Sequence, residues 1–345
     1  MDCPKNIEMH IDTDAIKHNL EYLAKKSKTE IMAVLKSNAY GHGLGMAKIV
    51  RDLGVKHIGV AKLSEAIELR EVGDKGRILF WLYDITCPEF KKGLSMNLDI
   101  GLFDETHIPI LSKMSSIKQK VTLYIDTGFN RAGIPYEKAF DACIALSKCK
   151  NLEFTGLMSH MISGGTKNNT VNTQLKKFRD LIDKLAQINI KPLTHMANTE
   201  GCLNYDVSDF TLSRCGSGLY GITKSKINKL RLTTSLTTHI IQIKTLEKGD
   251  SVGYNSKFIS PKEMNISILP IGYADILIDN SSHNYVYINN TKRKVLGNVG
   301  MDQMVVEGNV EDRVNDVAYI FDTRHTIYDI AKKAGKTPIE YLSQL

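Results

Sequence analysis

A lysine closes an apolar run in "AVLKSNAYGHG", residues 33–43. Charged lysine is rarely buried without a partner, so Lys36 either sits at a surface turn or is held there for chemistry. Other residues able to act on a ligand close similar runs. They are Tyr40, Arg131 in "IDTGFNRAGI", His160 in "MSH", Asn198 and Thr199 in "HMANTEG", and Arg214, Gly216 and Ser217 in "RCGSGLYG". Each alone has an ordinary reading: a surface lysine, a satisfied core histidine, structural arginines, a turn. Together they suit one ligand. A lysine that can be neutral forms a Schiff base with an aldehyde. "NTEG" and "CGSG" supply hydroxyls and backbone N–H groups that suit a phosphate. An arginine offers a fixed fork of donors to a ring nitrogen or a carboxylate. Aldehyde, phosphate and ring nitrogen together describe pyridoxal 5′-phosphate.

These residues must be positioned by the elements that precede them, and those elements alternate. "AIKHNLEYLAKKS" carries apolar residues at helical spacing, with Asp14 near its start. "EIMAVLKS" reads as a short buried strand, "GLGMAKIVRDLG" as a helix stopping at Gly54, and "HIGVA" as a strand. "LSEAIELREVG" and "RILFWLY" repeat the pair, and "LDIGLF", "KVTLYIDTG", "FTGLMSH", "KPLTHMANT" and "LSRCGSGLYGI" continue it. Compact apolar strands alternating with helices indicate parallel βα units. About eight such units fit before residue 225, which predicts an α/β fold of the TIM type, a (β/α)8 barrel, with its functional residues at the C-terminal strand ends.

After "INKL" the texture changes. "LRLTTSLTTHIIQIKTLEKGDSVGYNSKF", "ISILPIGYADILI", "NYVYINNTKRKVLGNVGMDQMVV" and "VNDVAYIF" are β segments without long helices between them. The sequence therefore predicts a barrel over residues 11–225 and a mostly β domain over 226–345, joined by residues 1–10.

Composition narrows the function. The chain has 345 residues, 42% hydrophobic and 24% charged, the balance of a folded core and long enough for two domains. Its net charge of +7 is spread without a dense basic block, so no nucleic-acid partner is expected and a small anionic ligand is. The six cysteines form no CxxC pair and no Cys/His cluster at zinc spacing, so no metal is expected and the thiols read as reduced, in a cytoplasmic protein. The N-terminus is polar, without a signal peptide, and no apolar stretch is long enough for a membrane span within this chain.

The motifs resemble those of the alanine racemase family, in order and over nearly the whole chain. "AVLKSNAYGHG" resembles the family's cofactor-lysine motif, and "IDTGFNRAGI" the segment ending in its substrate-binding arginine. "MSH", "HMANT" and "RCGSGLYG" match further stretches of the barrel; "SVGYNSKF", "LPIGYAD" and "GNVGMDQMVV" match marks of its β domain. The resemblance implies a pyridoxal-phosphate-dependent racemase of a small amino acid, assembled as a head-to-tail homodimer with shared active sites. Lys36 would carry the cofactor and act as one acid/base. Tyr254 of the partner subunit would be the second, on the opposite face. Arg214 would face the ring nitrogen, with His160 between it and Tyr254. Tyr40, Thr199, Gly216 and Ser217 would hold the phosphate, with Asn198 also on the cofactor side. Arg131 and Met301 of the partner subunit would contact the substrate carboxylate. Asp302 falls on the substrate side, and Tyr273 would line the entrance.

Some positions depart from the family. Tyr124 stands where many members carry a lysine that orients the substrate-binding arginine, so Arg131 is expected to be held by a chloride or another residue. Ile276 replaces a usual glycine, and Cys215 a usual proline. Near the end, Ile339 and Glu340 take the places of a tyrosine–glutamate pair, or a short shift brings in Tyr341. Alanine is the leading substrate, serine on the same scaffold the rival. A non-catalytic cofactor-binding protein and a decarboxylase of similar architecture are the other readings.

Overall fold

The computed structural model describes residues 6–115, 117–162, 169–225, 228–276 and 284–345. Backbone contacts divide the chain into two units, Asp14–Arg231 and Met1–Thr13 with Leu232–Leu345. Residue 226, where the sequence places the start of the β domain, lies outside the described residues.

The first strand, β1 (Glu8–Ile11), belongs to the second unit. The first unit carries β2 (Glu30–Val34), β3 (His57–Lys62), β4 (Arg77–Leu82), β5 (Asp99–Leu102) and β6 (Gln119–Asp126). It continues through β7 (Ile134–Pro135), β8 (Leu152–Met158), β9 (Leu193–His195) and β10 (Leu212–Cys215). The sheet order β5-β4-β3-β2-β10-β9-β8-β6 closes through a β5–β6 pairing, giving eight parallel barrel strands among the described residues. β7 pairs onto the end of β6. Each expected apolar run forms one of these strands. The reason is visible in β2, where Ile31, Met32, Ala33 and Val34 are all buried: a parallel strand covered on both faces has no polar side to alternate with.

Helices pack outside. Thr13–Ser27 buries Ala15, Ile16, Leu20 and Leu23 along one stripe, the spacing that marks it in the sequence. Inside, Met32, Leu79, Tyr124, Met158 and Leu212 form a cluster against which Trp81 and Phe103 pack. Gly101 makes room for it, because a Cβ there would lie 2.8 Å from the Trp81 Cβ and 2.9 Å from the Phe80 carbonyl oxygen. Near the strand starts, the 2%-exposed Asp99 accepts from Arg77, Thr122 and Thr155, so this buried carboxylate is fully paired.

The second unit is mostly β. Its strands are β11 (Thr234–His239), β12 (Gln242–Leu246), β13 (Ser251–Val252), β14 (Phe258–Ile259) and β15 (Met264–Leu269), then β16 (Tyr285–Ile288), β17 (Thr291–Lys294), β18 (Met304–Glu307) and β19 (Val317–Phe321). They form antiparallel sheets ordered β1-β11-β19-β16-β17, β12-β15-β18 and β13-β14. β1 joins by pairing Glu8 with Thr237, which ties the N-terminal segment to this unit. Helices Ile327–Lys333 and Pro338–Leu342 follow, each opened by a threonine capping box. Glu340 is the reciprocal member of the second box, and Tyr341 is fully buried, so both take part in building the fold of this unit.

No helix among the described residues is long and apolar enough to cross a membrane. No group of three or more His, Cys, Asp or Glu that could hold a metal occurs among them.

Candidate active site

Parallel strands bring their C-terminal ends to one mouth, and the barrel residues singled out in the sequence gather there. Lys36 lies two residues past β2. The next residues, Ser37, Asn38, Ala39 and Tyr40, all have left-handed φ, between 52° and 58°. Such a conformation costs about 1–2 kcal/mol for each L residue, so it persists only where neighbours hold it. Glu65 is one such neighbour: its Oε1 accepts the Ser37 N–H at 2.6 Å, while its Oε2 accepts from Ala61 and Lys62. The turn lays the Tyr40 hydroxyl directly against Gly216, where any Cβ would clash with it. That closeness requires glycine at 216.

Lys36 is partly buried, and that burial holds its ammonium below the usual lysine pKa. Arg131 and Arg214 push the same way, and Glu65 opposes them. The lysine therefore loses its proton more readily than a surface lysine. Three cations face one mouth, which suits a ligand bearing phosphate and carboxylate.

Arg214, on β10, is 7% exposed. Its Nη1 donates to the His195 Nδ1 at 2.8 Å and the His195 carbonyl at 2.7 Å. Its Nη2 donates to the Ser159 carbonyl at 2.6 Å and the His160 Nδ1 at 3.2 Å. Arginine cannot accept, so both imidazoles present a lone pair at Nδ1 and carry their hydrogen on Nε2. Four of the five guanidinium donors are thus committed to protein acceptors, and Nε–H is the one outside these bonds. Burial lowers the Arg214 pKa to about 10, which still leaves it charged at neutral pH.

His160 is pushed down to about 3, first by burial and then by Arg214, Arg131 and Lys36. His195 falls well below its ordinary value for the same leading reason. Burial also holds His42 at about 4. These folded values lie below the unfolded histidine value near 6.5, so acid protonates the unfolded chain first. Their contribution to stability is complete above pH ~6.5 and is lost as pH falls toward ~4. The expected thermal midpoint is flat between pH 8 and 7 and drops progressively below 6.5; a midpoint unchanged down to pH 5 would contradict these neutral histidines.

Arg131 lies on a loop built by Asp126, whose Oδ1 accepts from the Gly128 and Phe129 N–H groups at 2.8 Å each and whose Oδ2 accepts from Asn130 at 2.9 Å. The loop returns at Gly133, where φ is +121° and a Cβ would lie 2.8 Å from the Asp126 nitrogen. The Arg131 guanidinium sits over the Phe129 ring, 4.3 Å from its centroid, and that ring meets His160 edge-on at 5.1 Å. Phe129 is thus the residue under Arg131. Tyr124 points into the barrel core, 5% exposed.

Asn198 caps the helix Thr199–Asn204, its Oδ1 accepting from the Gly201 N–H at 2.9 Å. The Thr199 hydroxyl accepts from the Gly218 N–H at 3.1 Å and so ties that helix to the turn Ser217–Tyr220. Gly216 and Ser217 stand where that turn begins, beside Tyr40. Cys215 is fully buried, with its Sγ 3.5 Å from that of Cys202.

In the second unit, Tyr254, Met301 and Tyr273 are 77%, 59% and 52% exposed, too much for core residues of their size. Asp302 is exposed beside Met301. Hydrogen bonds gather these residues: the Tyr273 N–H donates to the Gly300 carbonyl at 3.0 Å, the Ala274 N–H to the Met301 carbonyl at 2.9 Å, and the Asn298 side-chain amide to the Tyr254 carbonyl at 3.5 Å. Ile276, by contrast, is 4% exposed.

The sequence reading missed Glu65, His195, Ser159 and Phe129. His195 and Ser159 stand at strand ends within quoted motifs, and their position there was the available signal. Phe129 stands two residues before Arg131 in "IDTGFNRAGI", and that nearness was its signal; Glu65 carries none, because it acts through a tertiary contact.

A closed parallel barrel with a lysine site at its mouth, followed by an antiparallel unit, defines the class: two-domain barrel proteins whose chemistry sits at the strand ends. The family profile "Alanine racemase, N-terminal domain" matches residues 11–224, and "Alanine racemase, C-terminal domain" matches residues 233–345. The chain belongs to the alanine racemase family. It is 32% identical to alanine racemase 1 of Caldanaerobacter subterraneus subsp. tengcongensis, over 99% of this chain and 92% of that protein. It is 31% identical to the alanine racemase of Borreliella burgdorferi strain ZS7, over 86% of this chain and 83% of that one. Among solved structures, alanine racemase of Clostridium difficile 630 superposes with a TM-score of 0.90 at 25% identity, covering 100% of this chain and 94% of that one. Alanine racemase from a D-cycloserine-producing Streptomyces lavendulae gives 0.86 at 26%, covering 99% and 95%.

Proposed function

We propose that the chain interconverts L- and D-alanine, with pyridoxal 5′-phosphate held on Lys36. The observation that carries this reading is the barrel mouth itself: a lysine of lowered pKa, a charged Arg214 fixed between two neutral histidines, and a glycine cradle closed by the Tyr40 hydroxyl. The donor set fits the cofactor. Lys36 suits the aldehyde, and Gly216, Ser217 and Tyr40 suit the phosphate. The Nε–H of Arg214 suits the ring nitrogen. Thr199 and Asn198 support this cradle by holding its helix and turn together.

When bound, the cofactor supplies a sink for the electrons left behind as the α-proton departs. The protein must do the rest. Arg131, braced on Phe129, holds the substrate carboxylate. Lys36 exchanges a proton at the α-carbon from one face. Tyr254 of the partner subunit exchanges one from the other, so the substrate inverts without turning over. Arg214 would donate to the cofactor's ring nitrogen without readily surrendering a proton, and so would restrain the sink and disfavour transamination. Met301 of the partner subunit joins Arg131 at the carboxylate. Tyr273 and Asp302 line the substrate side. The exposed Tyr254, Tyr273 and Met301 support a homodimer, because their surface needs a cover.

Holoprotein incubated separately with L-alanine and L-serine, followed by chiral chromatography, tests the function. D-alanine is expected with kcat/KM at least ~10-fold above that for D-serine, the scale of discrimination one added group permits. Faster D-serine formation would replace alanine with serine, and neither product would refute racemase activity.

A further inference from the structure

The left-handed turn after Lys36 uses residue types poorly suited to it. Of Ser37, Asn38, Ala39 and Tyr40, only asparagine visits that region with any ease. Glu65 holds the first amide of the turn. The other end meets His42, whose Nδ1 lies 3.0 Å from the Ala39 carbonyl oxygen and 3.0 Å from that of Tyr40. Both partners are acceptors, so Nδ1 must carry the hydrogen and donate to the pair.

The ring is fixed as well. It is 7% exposed and stacks on Tyr220, with centroids 3.8 Å apart and planes 14° from parallel. Tyr220 also touches the ring of Tyr40, at 5.7 Å between centroids. One imidazole therefore ties the last two carbonyls of a strained turn to a buried aromatic stack. The position of this turn sets where Lys36 starts and where the Tyr40 hydroxyl meets Gly216.

We infer that His42 is a positioning residue: by holding the left-handed turn through Nδ1–H, it fixes Lys36 and Tyr40 against Gly216 and so shapes the cofactor cradle. The cofactor part of this inference rests on the proposed function; the hold on the turn does not.

Two variants separate the parts of the side chain. His42→Phe keeps a flat ring for Tyr220 but has no donor. His42→Asn loses the ring but sets an amide N–H close to the place of Nδ1. Titrating each full-length protein with pyridoxal phosphate and following visible absorbance gives its dissociation constant. His42→Phe is expected to bind at least ~10-fold more weakly, the scale of one lost buried hydrogen bond, and His42→Asn to recover to within ~3-fold of the parent. A His42→Phe protein that binds as tightly as the parent, or an asparagine variant as weak as the phenylalanine one, would overturn the inference. A second readout needs no cofactor: amide hydrogen exchange in the 37–43 segment should quicken in His42→Phe and slow again in His42→Asn. If the parent shows no visible band yet exchange follows that order, the cofactor reading fails and the hold on the turn stands. Unchanged exchange would refute the hold itself.

Discussion

Lys36→Ala is expected to abolish both racemisation and the visible absorbance of the holoprotein. The substitution removes an amine that the barrel mouth holds at lowered pKa, and with it the proposed covalent attachment and one of the two proposed proton carriers. A fall in kcat/KM of at least ~1,000-fold is expected, because a positioned acid/base alone is worth ~100- to 10,000-fold. Borohydride treatment of the parent should fix the cofactor on Lys36 and on no other lysine, as read by peptide mass. The fold should survive, since Lys36 is only partly buried and the barrel core lies in Met32, Leu79, Tyr124, Met158 and Leu212. A variant that keeps its visible band would remove Lys36 from its role.

Tyr254→Phe is expected to lower racemisation more than ~100-fold while leaving cofactor binding intact. The side chain is 77% exposed, so loss of its hydroxyl costs the subunit little. Its proposed work lies across a dimer interface, opposite Lys36 of the other protomer. The two variants therefore test sharing as well. A mixed dimer of Lys36→Ala and Tyr254→Phe protomers should regain part of the activity, because one of its sites holds both groups. A demonstrated mixed dimer without recovery would contradict shared sites.

Much of this protein is legible in its sequence, for physical reasons that differ by region. Parallel barrel strands are buried on both faces, so "EIMAV" and "RILFWL" stand out as unbroken apolar runs, and the residues just past them fall at the mouth without further argument. Lys36 is readable in that way, and Arg214 as the third residue of the last barrel strand, β10. Their surroundings are not. Nothing local announces that Ser37 and Ala39 adopt left-handed backbone, a conformation normally left to glycine. Glu65 and His42 hold that turn through contacts that composition and periodicity do not encode. Arg131 shows the same limit: the missing lysine at position 124 raises the question of its support, and only the folded loop answers with Phe129. At the C-terminus, the choice among Ile339, Glu340 and Tyr341 turns on helix geometry, which makes Glu340 a cap and buries Tyr341. Tyr254 is the extreme case. An exposed tyrosine in a β domain has no local signature of a base, and family resemblance supplies the reason to single it out.

The two-base account is tested most directly by α-proton exchange in Tyr254→Phe holoprotein, followed by NMR in deuterated buffer with each enantiomer of alanine supplied separately. Lys36 remains in this variant, so exchange from D-alanine, whose proton faces Lys36 in the proposed arrangement, should continue. Exchange from L-alanine should nearly stop, because its proton faces the missing phenol. Equal loss of exchange from both enantiomers would contradict two opposed bases and the place of Tyr254 as one of them.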